Sequence, residues 1–514
     1  MAQIYRQIAK NSTLMGSGTL LSRVFGFIRD ILIASFFGTS AGLEAFLVSF
    51  RLPNLFRSIF AEGFSDSVAT PVLSSYRNDK EKILEIGQDL ICVLSFFLLL
   101  FTLFGIIFAK YFVILLAPGF IAQTYKFNLA VSFSQITFFY LFLIGLTSNF
   151  ISILYAYKRF FVPAISPIFL NFCFIGGILL FGRVLGVKVL VFSLLAGGVC
   201  QLLFAFSAVY RRGFRLKFNL IKALGNSQII KMFKLFVGRL FSSLIYHLTV
   251  FVDTVFSSLT FIVGQGAVAS IYYANRLIQF PFAIVILSLS RVVMVDLSFY
   301  HKEKDLKKFK ELLVFSFQNL IFFVLPITIV FLFVPRGIIS VVFGRGEFDL
   351  YSLNITSAVL FFYSFGLLFF CGIKLMVSTF YALADTKTPA KSAGLALLVN
   401  VVLSGILIFP LGVGGVALGS SLAAIFNFFL LFYLLKKKIG IIPWQDTKNY
   451  FIKVLALSLV HGLVSYLIWQ VFLSNKYAKM AAILGIGLVI FLLGGYFLRI
   501  KQVELVWRWM LKKK

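Results

Sequence analysis

The chain has 514 residues, of which 60% are hydrophobic and only 13% are charged, and its formal net charge is +30. Runs of about 20 apolar residues recur along the whole length, which excludes an ordinary soluble protein and is typical of a polytopic helical membrane protein. The excess of lysine and arginine lies in short polar segments between these runs. It therefore indicates cytoplasmic loops and gives no support to nucleic-acid binding.

Fourteen apolar spans can be placed along the chain, and they predict an all-α membrane protein. In chain order they cover about 12–37, 44–75, 83–117, 127–156, 160–182, 186–210, 235–262, 266–299, 309–343, 351–382, 389–409, 413–435, 449–473 and 479–499. With the N-terminus inside, most basic residues, including those of 211–234 and Lys436–Lys438, fall on the cytoplasmic side. We therefore expect both termini to be cytoplasmic.

The two halves of the chain repeat each other at an offset of 225 or 226 residues. Arg51-Leu52 recurs as Arg276-Leu277, and Tyr155-Ala156 recurs as Tyr381-Ala382. Six spans followed by six in the same orientation predict two pseudo-symmetric bundles, a substrate site between the halves, and transport by alternating access. The predicted divisions are an N-terminal bundle, a basic cytoplasmic linker, a C-terminal bundle, and two extra spans with a basic tail, at 1–212, 213–234, 235–438 and 439–514.

Arginines inside the predicted spans are the strongest candidates for function. Arg23 and Arg29 are six residues apart in the first span, about 120° apart around a helix. Arg51, Asn54 and Arg57 repeat that spacing in the second span. A charge at mid-membrane costs at least ~2.5–3.5 kcal/mol, so such residues usually line a cavity or bind a charged ligand. They could instead snorkel or pair with nearby acids. Because guanidinium forks suit phosphate oxygens, we expect a multiply anionic head group.

The sequence shows no arrangement typical of an enzyme. No polar loop carries a nucleophile beside a base, and no Gly-rich loop precedes a Lys-Ser/Thr pair. The four cysteines and three histidines lack metal-ligand spacing. We therefore expect a transporter without a cofactor, driven by an ion gradient or the membrane potential rather than by ATP. The final two spans could offer an apolar groove for a long lipid tail.

Five blocks of residues resemble the MurJ (MviN-type) lipid II flippases. The blocks are Ser22-Arg23-Val24-x-Gly26-x-x-Arg29-Asp30, Arg51-Leu52-Pro53-Asn54-Leu55-x-Arg57-x-x-Phe60-Ala61-Glu62-Gly63, Tyr272-Tyr273-Ala274-Asn275-Arg276-Leu277, Gly344-Arg345-Gly346-Glu347-Phe348 and Phe380-Tyr381-Ala382-Leu383-x-Asp385-Thr386-Lys387-Thr388-Pro389. The resemblance runs over about residues 10–440. It implies a flippase of the multidrug/oligosaccharidyl-lipid/polysaccharide exporter superfamily. Such a protein moves lipid II, an undecaprenyl-diphosphate-linked disaccharide-pentapeptide, across the bacterial inner membrane for peptidoglycan synthesis.

The resemblance also implies site residues. The family's central-cavity arginines fall on Arg23, Arg29, Arg57 and Arg276, and its acidic residue at the start of the second span falls on Glu44, where aspartate is usual. The diphosphate that they are thought to bind agrees with the anion expected above. The predicted substrate-binding set is Arg23, Arg29, Glu44, Arg51, Asn54, Arg57 and Arg276.

The chain departs from the family near the eighth span and at one further position. Asn275 and Gln279 stand where Asp and Glu are common, and Ser58 replaces a second arginine after Arg57. These departures concern gating and ion pairing more than the class of substrate.

A sodium site is the one metal site that the resemblance implies. Some members hold sodium between the seventh, eleventh and twelfth spans, and Asp253, Asn400, the Val416 carbonyl and Ser420 fall on that pattern. Ser404 replaces an expected carboxylate. Because a hard cation prefers oxygen ligands with offsetting charge, this loss should weaken the site.

Three other functions stay open beside lipid II flipping. One is a flippase for another undecaprenyl-diphosphate-linked sugar, such as an O-antigen or teichoic-type lipid. Another is a multidrug antiporter, which would favour acids over arginines within its spans. The third is a membrane scaffold for cell-wall enzymes. For the flippase we expect an inner-membrane monomer, with lipid II and membrane lipid as partners and contacts to cell-wall synthesis and division proteins.

Overall fold

The computed structural model is helical wherever the described residues form regular structure. It describes the backbone at 2–281, 287–441, 443, 445–471 and 475–504, and the side chains of these residues except at 2–14, 60–62, 237–247, 287–292, 445–446 and 471. Residues 505–514 of the predicted basic tail lie outside the described part. The chain divides into two units, Met1–His247 (unit 1) and Leu248–Lys514 (unit 2). The predicted all-α fold is confirmed.

Among its described residues, unit 1 contains nine α-helices and the first part of a tenth. They are α1 Ala2–Phe37, α2 Ala41–Phe56, α3 Thr70–Ser75, α4 Lys80–Ile107, α5 Ala109–Leu116, α6 Thr124–Ala156, α7 Phe161–Leu185, α8 Lys188–Tyr210, α9 Leu220–Gly225 and α10 Ser227–Ser258. The predicted linker 213–234 therefore holds α9 and the start of α10. In the core of this unit α4 and α6 pack so closely that a Cβ on Gly105 would lie only 2.1 Å from the Phe138 ring.

Unit 2 contains the end of α10 and ten further helices among its described residues. They are α11 Thr260–Val263, α12 Ala267–Pro281, α13 Leu287–Lys302, α14 Leu306–Phe333, α15 Pro335–Val342, α16 Leu350–Ala382, α17 Lys387–Leu411, α18 Val413–Ile439, α19 Gln445–Val471 and α20 Lys476–Phe497. Helices α19 and α20 are the two extra helices expected after the repeat, and they pack on α14 and α15.

The internal repeat is visible in the helix bounds. Helices α4 and α14 begin 226 residues apart and end 226 residues apart, and the same holds for α5 with α15, α6 with α16, and α7 with α17. The turns repeat as well. Lys158 and Ala384, which follow α6 and α16, have φ values of 56° and 55°. A left-handed residue there lets the next N–H bond back to the helix, Arg159 to Leu154 and Asp385 to Phe380, each at 2.9 Å.

Ten of the described helices are long and apolar enough to cross a membrane, so the chain is a multi-pass membrane protein. They are α4, α6, α7, α8, α14, α16, α17, α18, α19 and α20. The other four predicted spans fall on α1, α2–α3, α10–α11 and α12–α13, the first two spans of each repeat. Of these helices, α2 is only 16 residues long, which is short for a membrane span. A total of fourteen spans stays a prediction.

A polar clasp joins the turn after α16 to the end of α18. Asp385 accepts hydrogen bonds from the Thr388 N–H at 3.0 Å and the Thr388 hydroxyl at 2.7 Å, and from the Lys438 ammonium at 2.8 Å. Partial burial alone would raise the pKa of Asp385, but these hydrogen bonds outweigh it and hold that pKa well below the ordinary value. The resembling block 380–389 thus begins α17 and ties it to α18.

Candidate functional site

Arg29 lies on α1, where three hydrogen bonds fix its guanidinium. Its Nε and Nη2 donate to Asp30 Oδ1 at 3.0 and 2.8 Å, and its Nη1 donates to Asn171 Oδ1 on α7 at 3.1 Å. The group also lies 5.4 Å from the centre of the Phe174 ring. Because Asp30 is buried, Arg29 compensates its charge, and it also anchors α1 against α7.

Asn171 was not predicted from the sequence, yet it organises this face of α1. Its amide nitrogen donates to the Ser22 carbonyl at 3.0 Å, one residue before Arg23. A Cβ on Gly26 would lie 3.7 Å from the Asn171 amide, which is an ordinary van der Waals distance, so Asn171 packs directly beside this part of α1. Arg23 itself is exposed in unit 1. Arg29 and Arg23 therefore have different environments, the first anchored and the second exposed.

Arg51, Asn54 and Arg57, at the C-terminal end of α2 and directly after it, are half-buried, and the structure brings two of them together. Arg57 Nε donates to Asn54 Oδ1 at 3.0 Å, one helical turn earlier. Arg51 is half-buried on the same helix. Helix α2 contains Pro53 and ends at Phe56, and the chain continues as π-helical turns over Arg57–Gly63 and Ser65–Ala69. Such wide turns are rare in proteins overall, but those that occur are often at functional sites.

Glu44 lies apart from this polar group, in a buried ion pair near the N-terminus of α2. The Lys126 ammonium of α6 donates to Glu44 Oε2, and the two side chains are 2% and 0% exposed. Lys126 also lies 4.0 Å from the centre of the Phe120 ring. Lys126 lies one residue before the predicted span 127–156, and no sequence pattern pairs it with Glu44. The structure therefore gives Glu44 a packing role in unit 1.

Arg276 lies on α12 of unit 2, among aromatic and amide side chains. Its Nη2 donates to the Tyr272 hydroxyl at 3.2 Å, and its guanidinium lies 4.7 Å from the centre of that ring. On the next turn, the Gln279 amide donates to Asn275 Oδ1 at 2.9 Å. Asn275 and Gln279, which depart from the family pattern, thus form a neutral amide pair beside Arg276.

The predicted sodium residues of unit 2 converge from α10, α17 and α18. Asp253 Oδ1 accepts from the Ser420 hydroxyl at 2.8 Å and from the Asn400 amide at 3.3 Å. The Ser404 hydroxyl donates to Asn400 Oδ1 at 2.9 Å. Tyr363 of α16, which was not predicted, donates to Asp253 Oδ2 at 3.3 Å. All five side chains are buried.

This cluster fits a small hard cation by its donor chemistry. Carboxylate, amide, hydroxyl and phenol oxygens come from four helices, and a single carboxylate matches the charge of one sodium ion. Helices α17 and α18 approach so closely here that a Cβ on Gly419 would lie 2.4 Å from Ser404 Oγ. Val416 is fully buried on α18, one turn before Ser420.

The repeated helical units, the membrane-length helices and the arginines of α1, α2 and α12 define a multi-pass membrane protein of the transporter class. The model of the family described as "Lipid II flippase MurJ" matches residues 33–486. The chain belongs to the MurJ lipid II flippase family.

Relatives with this description are similar to the chain over most of its length. A probable lipid II flippase MurJ of Buchnera aphidicola subsp. Schizaphis graminum is 32% identical over 511 residues, covering 97% of this chain and 98% of the relative. The lipid II flippase MurJ of Burkholderia cenocepacia is 30% identical over 449 residues, covering 86% of each. The similarity therefore includes both units.

Solved structures support the same fold. A lipid II flippase MurJ in an inward closed conformation matches with a TM-score of 0.77, 23% identity, and coverage of 95% of this chain and 99% of that chain. An inward-facing multidrug resistance MATE family transporter of the MOP superfamily matches with a TM-score of 0.68 and 14% identity, covering 83% and 98%. These likenesses concern the fold.

Proposed function

We propose that this chain moves lipid II from the inner to the outer leaflet of the bacterial inner membrane for peptidoglycan synthesis. The observation that carries the proposal is the pair of arginine-bearing helices α1 and α2 in a member of this family. Arg29 and Arg57 are both oriented by amide oxygens, those of Asn171 and Asn54. A diphosphate offers the multiple oxygens that guanidinium forks recognise, and it offsets cationic charge inside an apolar protein.

The arginines of unit 1 have different roles in this proposal. Arg29 is already partnered by Asp30 at 2.8 Å, so it chiefly positions α1. Arg23 is exposed and makes the first contact with the anionic head group, and Arg57 holds it. Arg51 adds positive charge in unit 1, and Arg276 adds positive charge in unit 2. The protein acts as a monomer by alternating access, without catalytic chemistry, and serves cell-wall synthesis and division proteins.

The direct test is the amount of lipid II exposed on the outer face of cells depleted of their own flippase. Expression of this chain is expected to restore that exposure to the level before depletion, measured with a lipid II probe added outside. An empty vector and a membrane protein of unrelated function are the controls. No restoration at equal membrane abundance would contradict lipid II as the substrate. The same cells would then be supplied with other undecaprenyl-diphosphate-linked sugars.

The oxygen ligands of the polar cluster in unit 2 favour a sodium gradient as the energy source. Asp253, Asn400 and Ser420 would hold the ion, and its charge would replace the hydrogen bonds that the carboxylate now accepts. The ion supplies only electrostatic stabilisation of this cluster. Coupling to the membrane potential is the competing source of energy.

Sodium is expected to raise the thermal stability of the purified protein, because a ligand that binds the folded state stabilises it with the logarithm of its concentration. The measurement is the melting temperature in sodium chloride and in choline chloride at equal ionic strength. Asp253→Asn should remove the difference. Ser404→Asp restores the second carboxylate and should enlarge it. An equal sodium effect in wild type and Asp253→Asn would contradict this site.

A further inference from the structure

An apolar cavity of about 540 Å³ lies in unit 1, away from the arginines of α1 and α2. Its walls come from α4, α6 and α8, each of which is long and apolar enough to cross a membrane. Its volume is within the range of about 300–1,000 Å³ that is usual for ligand sites. Apart from Ser95 and Cys92 its lining is hydrocarbon and aromatic, and includes Phe96, Leu99, Phe142, Phe150, Leu203 and Phe206.

The segment that follows α8 closes one end of this cavity. Residues 214–219 are not helical, and their side chains alternate in character. Phe214 is fully buried, and Leu216, Phe218 and Leu220 line the cavity. Arg215, Lys217 and Asn219 are exposed. The segment therefore presents an apolar row to the cavity and a polar row to the surroundings.

The cavity is open at its side, which indicates that something apolar covers it. Leu203 is 59% exposed, Leu216 is 49% exposed and Phe218 is 71% exposed. All three belong to the lining. Because the walls are membrane-length helices, the apolar material at this depth is lipid hydrocarbon. The cavity is thus placed to accept an acyl chain from the bilayer.

The rim of the cavity is basic. Arg215 donates to the Tyr210 and Phe214 carbonyls at 3.3 and 3.1 Å, and its guanidinium lies 4.2 Å from the centre of the Tyr210 ring. Arg215 and Lys217 are both exposed beside the lining residues Leu216 and Phe218, so this rim favours an anion.

Two acids of α4, Glu85 and Asp89, are directed at α9 and at Asn226, which follows it. Glu85 lies 3.9 Å from the Lys222 ammonium, and Asp89 accepts from the Asn226 amide at 2.8 Å. Arg215 and Lys217 are therefore the charges that face outward beside the apolar row. A phosphate held there would lie at the level of the membrane surface, since α8 ends at Tyr210.

We propose that the cavity binds one acyl chain of an anionic phospholipid, whose head-group phosphate lies against Arg215 and Lys217. This lipid is not the transported substrate. It binds on the outside of unit 1, and its site shares no residue with the arginines of α1 and α2. By filling the cavity it would fix the segment 214–219 to α4, α6 and α8. The inference goes beyond the proposed flippase function and does not depend on it.

The test is native mass spectrometry of the full-length protein after equilibration with phosphatidylglycerol and phosphatidylcholine that carry the same acyl chains. The wild type is expected to retain one phosphatidylglycerol in preference to phosphatidylcholine. Arg215→Ala/Lys217→Ala should lose that preference, with about a fivefold loss in affinity per basic residue. Ser95→Phe, which fills the cavity, should lower retention of both lipids.

Two further variants keep the test decisive. Lys217→Glu alone leaves the Arg215 hydrogen bonds in place, so it tests the charge even if the double variant folds poorly. Lys302→Ala/Lys307→Ala removes the same charge from exposed positions on the predicted cytoplasmic side and should leave the preference unchanged. Equal retention by Lys217→Glu and wild type would overturn the head-group contact. Equal retention by Ser95→Phe and wild type would overturn the cavity as the site.

Discussion

Arg57→Ala is expected to abolish growth of flippase-depleted cells that depend on this chain. In the proposed function Arg57 holds the diphosphate with its guanidinium fork, and Asn54 orients that fork through Nε at 3.0 Å. A hydrogen bond to a charged group is worth about 1.5–3 kcal/mol, so its loss corresponds to roughly ten- to hundredfold weaker binding. The measurement is complementation together with externally exposed lipid II, at membrane levels equal to those of wild type.

Three control variants separate the charge of Arg57 from its geometry. Arg57→Lys keeps the charge but loses the fork, and should retain part of the activity. Asn54→Ala keeps the arginine but releases its Nε, so an intermediate loss is expected. Arg183→Ala removes an arginine from the exposed end of α7 and should have no effect. Full activity of Arg57→Ala would refute the role of Arg57 in binding and favour a scaffold.

The repeat could be predicted because equivalent helix ends and turns in the two halves of the chain carry matching residues. The offset of 226 seen in Tyr155 and Tyr381 reappears in the bounds of four helix pairs. It also reappears in the left-handed residues Lys158 and Ala384, where the chain leaves α6 and α16. A helix end depends on residues that are close to it in sequence. Its sequence signal therefore persists even where the packed surfaces of the helices in the two units have diverged.

Partners across helices were harder to predict, because hydropathy carries no information on which faces meet. The sequence marked Arg29 but not Asn171, which lies 142 residues further on and holds both Arg29 and the backbone beside Arg23. Lys126, one residue before the predicted span 127–156, likewise gave no sign of its pairing with Glu44. A single amide or ammonium in an apolar run has no periodic pattern, and only the packing of α6 and α7 reveals its role.

The polar cluster of unit 2 was located by resemblance rather than by spacing. Asp253 and Asn400 are 147 residues apart, and no local pattern joins them. The structure brings Asp253, Asn400 and Ser420 together and adds Tyr363, whose hydroxyl faces the same carboxylate. Sodium binding at this cluster stays a prediction.

The cavity beside residues 214–219 was not predicted, because the apolar residues that line it lie between basic residues in the sequence. Residues 214–219 fall within the predicted basic linker 213–234, and Arg215 and Lys217 are the charged residues among them. The apolar residues between them were the informative ones. Their spacing of two places them on one side, where α4, α6 and α8 leave a space.

Glu44→Gln is expected to destabilise the protein strongly, because it leaves the Lys126 ammonium buried without its counter-charge. The two side chains are 0% and 2% exposed, and breaking a buried ion pair by removing one partner costs about 3–5 kcal/mol. The measurement is thermal unfolding of the purified protein. Glu85→Gln is the matched control, because the Glu85–Lys222 pair is exposed at 3.9 Å and should contribute little.

The double variant Glu44→Gln/Lys126→Met separates the packing role of Glu44 from the substrate role that the family resemblance implies. Removing both charges leaves no uncompensated ion, so the double variant should recover most of the stability lost by Glu44→Gln alone. If Glu44 only pairs with Lys126, lipid II exposure should recover together with stability. A stable double variant that cannot restore exposure would instead place Glu44 in the transport cycle. Failure to recover stability would contradict the pair as the reason for the loss.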